Sequence, residues 1–314
     1  MMPKIFDAEA TAKRLPYSRL IQRMGELFAT GISSPTRHHH TMSVVGEPDA
    51  TLLLMPAWSN ELGCVKIVTA YPGNAGRGLP AIAGTVLAFD RTDGTHRAFL
   101  DGTVLTARRT AAASALAARA LAPSNAQTLL VLGSGRVAAE LPAAFQAIRP
   151  IDRVLVWSRT EASAERLVRS LETSGFQAIV VRDLPNAVAE ADIISAATLA
   201  TEPVLRGAWL RPGQHIDLIG AFTPLMREAD DELLRRGRLF IDTDIALVEA
   251  GELAIPLARK AISTVDIVGD LAALATGVAG RVASEEITIF KSVGNAVMDL
   301  AAVLTAMEES DNYE

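Results

Sequence analysis

Hydrophobic and polar positions change their period near residue 103, and the two stretches predict different architectures. In the first, Leu20, Met24, Leu27 and Phe28 recur at helical spacing and predict a helix over 17–29, stopped by Gly31. A shorter helix is expected from Phe6-Asp7, with Asp7 as its N-cap. Alternating, β-branched runs then predict strands at 37–43, 51–56, 63–70, 84–90 and 97–100, the last two joined through Asp93-Gly94 as a hairpin. YPGNAGRGLP, rich in Gly and Pro, forms a loop between the third and fourth. This third of the chain reads as an α+β unit dominated by antiparallel strands.

After residue 103, TVLTARRTAAASALAARALAP reads as one alanine-rich helix ended by Pro123. The strand-like segments TLLVLG, RVLVWS, QAIVV, ADIISAA, IDLIG and LFIDT follow, with helical ones such as RVAAELPAAFQAI and AERLVRSLETSG among them. That alternation predicts an α/β fold with a doubly wound parallel sheet. The last segment, EEITIFKSVGNAVMDLAAVLTAMEE, is expected as a long amphipathic helix with Phe290, Val293, Val297, Leu300 and Leu304 on its apolar face.

Composition narrows the function classes. With 49% hydrophobic and 21% charged residues, the 314-residue chain has the balance of a globular protein and the length for two cores. A net charge of −6 argues against a nucleic-acid partner. Arginines or acids interrupt every apolar run before it reaches membrane-spanning length, and the N-terminal residues lack a signal-peptide apolar block. A single cysteine, Cys64, rules out an internal disulfide framework and suits a reducing compartment, so a cytoplasmic protein is expected. Only five of the 30 basic residues are lysines. Lysine is thus not the chain's general surface cation, and Lys66 and Lys291, both inside apolar runs, stand out.

The clearest motif is LLVLGSGRVAAEL. Gly133-Ser134-Gly135 follows a strand and opens a helix, with Ala138 in the third fingerprint position and Arg136 and Val137 in the first turn. Small residues there let the backbone approach a pyrophosphate seated on the helix N-terminus, so dinucleotide binding is expected over an ordinary strand–helix turn. The next strand ends in Ser158-Arg159-Thr160, without the carboxylate that usually binds the ribose 2′-hydroxyl of NAD. An arginine and two hydroxyls suit a 2′-phosphate, which favours NADP(H), with NAD(H) as the alternative; the bland reading of Arg159 is a solvent-exposed side chain.

Lys66, between Val65 and Ile67, needs an anionic partner or a bound anion if both faces of its strand are buried; otherwise alternation turns it to solvent. Arg108, Arg109 and Thr110 lie early in the alanine-rich helix, where adjacent side chains diverge and a cation opposes the helix dipole, so an anion nearby is indicated for one arginine. Arg37 belongs to the same positive set, surface ion pairing being the alternative for each. In Arg37-His38-His39-His40, only His38 and His40 share a strand face and no further ligand completes a site, so no metal is expected. Cys64 is expected as a buried small apolar residue.

Taken together, SSPTRHHH, LLLMPAW, VKIVTAYPGNAGRGLP, TARRTAAASALAARALA, VLGSGRVA, VWSRT, GAFTPLMREADDELL and ITIFKSVGNAVMDLAAV resemble the ornithine cyclodeaminase/μ-crystallin family over nearly the whole chain. The resemblance implies a Rossmann domain over 116–285, and a substrate-binding and dimerisation domain from 1–115 with 286–314, in a homodimer. It implies that Arg37, Lys66 and Arg109 hold the carboxylate of a small amino or imino acid, with Lys66 also catalytic. Thr110 would help bind the cofactor, and Lys291 to Gly294 would approach the nicotinamide.

One loop separates the family's activities. In its cyclodeaminases the turn after the strand-ending glycine carries an aspartate followed by Cys-Pro. Here the segment reads Gly220-Ala221-Phe222-Thr223-Pro224, placing Phe222 at that aspartate's position, and the next acid is Glu228. The resemblance then implies an NAD(P)H-dependent reductase of cyclic imino acids, taking Δ1-pyrroline-2-carboxylate to L-proline and its six-membered homologue to L-pipecolate. The alternatives are cyclodeamination of ornithine, dehydrogenation of alanine or an N-alkyl amino acid, and a non-catalytic NADP-binding protein of the μ-crystallin kind.

Overall fold

The change of period corresponds to a change of sheet. The computed structural model describes residues 2–32 and 34–308, so Ser33 and the expected helix end beyond residue 308 lie outside the described residues. One compact unit runs to Arg109 and resumes at Asn295; the other is Thr110–Gly294. In chain order the elements are β1 (Lys4–Phe6), α1 (Ala8–Lys13), α2 (Tyr17–Ala29), β2 (His38–Met42), β3 (Ala50–Trp58), β4 (Leu62–Ala70), β5 (Ile82–Asp90), β6 (His96–Asp101) and α3 (Gly102–Leu121). There follow β7 (Thr128–Leu132), α4 (Arg136–Gln146), β8 (Arg153–Trp157), α5 (Glu161–Thr173), β9 (Gln177–Val180), α6 (Leu184–Glu190), β10 (Ile193–Ala196) and β11 (His215–Leu218). The rest comprises α7 (Asp231–Arg236), β12 (Arg238–Ile241), α8 (Ala246–Glu249), α9 (Gly251–Ala258), β13 (Ile267–Asp270), α10 (Leu271–Ala275), β14 (Thr288–Lys291) and α11 (Ala296–Met307).

The first unit is a six-stranded sheet in the order β1-β6-β5-β4-β3-β2, antiparallel except for the β1–β6 pair. Alternation gives it a dry side, where α11 packs against β3 and β4 and also against α2. Two lateral rows lie there, Met55–Lys66–Val86–Leu100 and Ala57–Cys64–Ala88–Ala98, and all eight residues are buried. The opposite face carries the row Pro56–Val65–Leu87–Phe99, which is apolar but only half-buried. Asp7 caps α1 as the sequence indicates, accepting from the Ala10 amide at 2.8 Å, while β1 was not foreseen.

The second unit is an eight-stranded, wholly parallel sheet in the order β13-β12-β14-β11-β10-β7-β8-β9, which is the expected doubly wound α/β arrangement. Its central strands are buried on both faces: Leu129 to Leu132, Val154 to Val156 and Ile193 to Ala196 have almost no exposure. Strand order reverses between β7 and β10, the crevice where open α/β sheets take ligands.

One expectation fails. The segment from Glu285 is not a single helix, because Thr288–Lys291 forms β14 between β11 and β12. Ile287, Thr288 and Ile289 are β-branched, and all four strand residues are buried, as a central parallel strand requires. Gly294 then takes φ 77°, and the Asn295 side chain caps α11 by accepting from the amides of Val297 at 3.0 Å and Met298 at 3.2 Å. Glu286 to Gly294 therefore belong to the second unit, and the boundaries expected at 115 and 286 fall at 109 and 295 instead.

Candidate functional site

Cations gather on the dry face of the first unit. Lys66 Nζ donates to Asp299 Oδ1 at 2.9 Å, and Arg109 Nε stands 3.0 Å from the same oxygen. All three side chains are buried. The Arg109 contact is an ion pair but not an aligned hydrogen bond, while its Nη1 donates to the Met298 sulfur at 3.5 Å and Asp299 Oδ2 has no partner. Continuing the β2–β3 register by one residue sets Arg37 at the end of the row that contains Lys66, close enough for its charge to act on the lysine. Burial lowers the Lys66 pKa to about 8; the Arg109 and Arg37 charges push the same way, and Asp299 opposes them. Lys66 and Arg109, both buried, thus share the Asp299 carboxylate, and a second anion would balance the pair.

Neighbours in sequence have separate tasks. Arg108 donates to the carbonyls of Ala12 and Leu15, both at 3.0 Å, and lies over the Tyr17 ring, tying α3 to the start of α2. Arg109 turns instead to Asp299, the divergence adjacent helical residues require. Cys64 is fully buried and burial raises its thiol pKa, so it stays neutral. His38 and His40 share a strand face with ring centroids 6.4 Å apart, and no group of three or more His, Cys, Asp or Glu among the described residues is arranged to hold a metal.

In the second unit the Gly133 turn has the form a dinucleotide needs. Gly133 has φ 113°, and a Cβ there would meet the Ala197 carbonyl oxygen at 2.5 Å. At Gly135, the N-cap of α4, a Cβ would meet nothing within 4 Å and no side chain caps the helix, so the helix N-terminus is left without a side-chain acceptor at its cap. The Ser134 and Ser158 hydroxyls lie 3.0 Å apart, joining the tips of β7 and β8. Arg136, Arg159 and Thr160 are exposed there, and Glu161, the nearest acid in sequence, is paired with Arg182. These residues fit a nicotinamide dinucleotide. Thr110 is half-buried on α3.

The loop after β11 is held by acids that sequence reading did not single out. Glu228 is fully buried and folds back: Oε1 accepts from the Thr198 amide at 2.6 Å and hydroxyl at 2.8 Å, and Oε2 from the amides of Gly220 at 2.7 Å and Ala221 at 3.3 Å. Glu252 accepts from the Glu228 and Ala229 amides and lies 3.1 Å from Lys291 Nζ. The Lys291 ammonium is therefore buried against Glu252, and any contact of this segment with a ligand falls to its backbone. Asp242 orders that backbone, accepting from the Ser292 hydroxyl at 2.8 Å and the amides of Val293 at 3.0 Å and Gly294 at 2.6 Å. Phe222 remains 44% exposed at the loop tip. Asp299, a lone acid in the apolar run AVMDLAAVL, gave the same signal as Lys66 and could have been found by it. Glu228 was masked by the acids that cap α7 at Asp230.

Residues 15–312 match the ornithine cyclodeaminase/mu-crystallin family. The chain belongs to this family. Among its relatives, the Δ1-pyrroline-2-carboxylate reductase of Paracoccus denitrificans is 44% identical over 260 residues, covering 82% of each chain. The ketimine reductase mu-crystallin of Rattus norvegicus is 36% identical over 275 residues, covering 87% of this chain and 83% of that one. The solved structure of Thermococcus litoralis Δ1-pyrroline-2-carboxylate reductase in complex with NADH and L-proline superposes with a TM-score of 0.89 at 30% identity, over 96% of both chains.

Buried acids in the parallel sheet make stability depend on pH. Asp217 on β11 accepts from the Ser195 hydroxyl, and burial raises its pKa to about 7, against smaller lowering effects from Ser195, Ser114 and Lys291. The folded state keeps this proton where the unfolded chain has lost it, so the contribution is full below pH 3.8 and is lost as pH rises toward 7. Asp217→Asn removes that dependence. Denaturant titrations of both proteins at several pH values should show their stability difference moving in favour of the variant as pH rises, by at most about 1.4 kcal/mol per pH unit. A difference independent of pH would show that Asp217 titrates normally.

Proposed function

We propose that the protein is an NAD(P)H-dependent oxidoreductase acting on C=N bonds, reducing Δ1-pyrroline-2-carboxylate to L-proline and the six-membered Δ1-piperideine-2-carboxylate to L-pipecolate. The observation that carries this reading is the surplus of buried positive charge where Lys66 and Arg109 share the Asp299 carboxylate, with Arg37 close enough for its charge to act on Lys66. A substrate carboxylate supplies the missing anion, and charge-assisted bonds from Arg109 and Arg37 fix its orientation. The named relatives, two of them pyrroline-2-carboxylate reductases and one a ketimine reductase, support the same chemistry.

The β11 loop argues against cyclodeamination. Phe222 offers no acid for a substrate's distal amine, and both oxygens of Glu228 are committed to the main chain and the Thr198 hydroxyl. An apolar ring suits a compact cyclic substrate with no second amine. Gly133 to Val137 would cradle the pyrophosphate, with Thr110 and the Lys291–Gly294 backbone as further cofactor contacts. When bound, the cofactor supplies the hydride. NADP(H) is favoured over NAD(H) because Arg136 and Arg159 are exposed cations beside Ser134, Ser158 and Thr160. A single buried cysteine suits a cytoplasmic enzyme.

The oligomer in this reading is a homodimer. The outer face of the first unit's sheet presents Pro56, Val65, Leu87 and Phe99 in one half-buried row, continued by Ile5 at 80% exposure. Such a face is suited to pairing with its own copy.

NADPH and NADH oxidation with the five- and six-membered cyclic imines tests the activity, with NAD-dependent ammonia release from L-ornithine as control. Turnover of both imines and no ammonia are expected; ammonia and proline from ornithine would overturn the reading. Arg109→Ala should raise the KM for the imine roughly 10- to 100-fold with NADPH affinity nearly unchanged, and unaltered imine kinetics would remove Arg109 from the site. Arg159→Ala should raise the KM for NADPH about tenfold and leave that for NADH within about twofold; equal effects on both would exclude a 2′-phosphate contact. Light scattering should give a dimer mass for the native chain and a shift toward monomer for Leu87→Arg. A native monomer would dispose of the dimer.

A further inference from the structure

Reduction of a cyclic imine needs a proton on the ring nitrogen as well as a hydride on carbon. We propose that Asp299 is the positioning residue for that proton: its ion pair keeps the Lys66 ammonium charged and oriented, so that Lys66 rather than solvent protonates the imine. This inference rests on the reductase reading above and assigns one step within it.

The charges around Lys66 support it. Arg109 from α3 and Arg37 from the chain before β2 are both positive, and Asp299 from α11 is the negative group that opposes them at the lysine. The lateral neighbours on β3 and β5, Met55 and Val86, carry no charge, and Cys64 on β4 itself is neutral. A dry site beside two like charges favours the neutral amine, and Asp299 works against that. Lys66 uses one donor on Asp299, and an ammonium has three. The lysine is held near the middle of its useful range, since its pKa of about 8 lets it be charged at neutral pH and still release a proton.

The step balances. An N–H bond of Lys66 breaks and an N–H bond forms on the imine nitrogen, leaving a neutral amine and an iminium. Hydride addition to the iminium carbon turns the C=N π pair into the nitrogen lone pair, and the reduced nicotinamide is oxidised. Lys66 then regains a proton from water. The sum is imine plus NAD(P)H plus one proton giving amine plus NAD(P)+.

The test compares the pH profile of kcat/KM for the five-membered imine with NADPH in the full-length native chain, Asp299→Asn and Asp299→Glu. Removing the anion destabilises the charged lysine, so the high-pH limb of Asp299→Asn should move down by about one pH unit or more. Its deficit should be about tenfold or more near pH 8.5 and shrink to about threefold or less near pH 6, with Asp299→Glu returning the limb toward the native position. Substrate ionisation is common to all three proteins and cancels in the comparison. NADPH fluorescence titration confirms folding of each variant. A limb that stays in place, or a deficit equal at every pH, overturns the role of Asp299 while leaving the reductase intact. A native chain that oxidises NADPH with neither imine overturns both. Should Asp299→Asn fail to bind NADPH, Lys66→Ala with added small primary amines decides: recovery of turnover supports the lysine as proton donor, and no recovery refutes it.

Discussion

A buried carboxylate facing an excess of buried cations is the constraint on which the first unit depends. Asp299 brings together one residue from a strand, one from a helix that begins at the end of the last strand, and its own helix α11. Removing the acid leaves mutually repelling cations in a dry setting, whereas removing one cation leaves Asp299 paired with the other. The return of the chain after Gly294 is therefore more than apolar cover for the sheet. It delivers the counter-charge that makes the cation cluster tolerable and still leaves that cluster positive.

The second unit meets the same physics with a different solution. Glu228, Glu252 and Asp242 are buried acids whose oxygens are satisfied largely by main-chain amides at the carboxyl ends of the strands. Burial raises the pKa of Glu228 to about 7, since desolvation outweighs the lowering effects of Lys291 and Thr198. Such groups are costly as isolated charges and effective as brackets, because one carboxylate can fix several amides at once. They give irregular loops a defined shape without regular secondary structure.

Much of this was legible in the chain. Period changes located the two sheets, the Gly133 turn was placed by its position between a strand and a helix, and Lys66 was conspicuous as a lone cation in an apolar run. What escaped were relations between distant segments. Asp299 lies 233 positions from Lys66, and no local spacing connects them. Glu228 looks like one more acid before a helix until the chain folds it back on Gly220. The strand Thr288–Lys291 was hidden because its apolar positions run in phase with those of the following helix, and only sheet pairing separates them.

Glu228 also bears on the identity of residue 222. It grips the turn through the amides of Gly220 and Ala221, main-chain groups that precede residue 222. The shape of the turn is thereby uncoupled from whatever is mounted at its tip. An aromatic ring, a carboxylate or a small polar group at position 222 could be exchanged at little cost to the backbone beneath it, so a scaffold built this way can change its chemistry by a single codon.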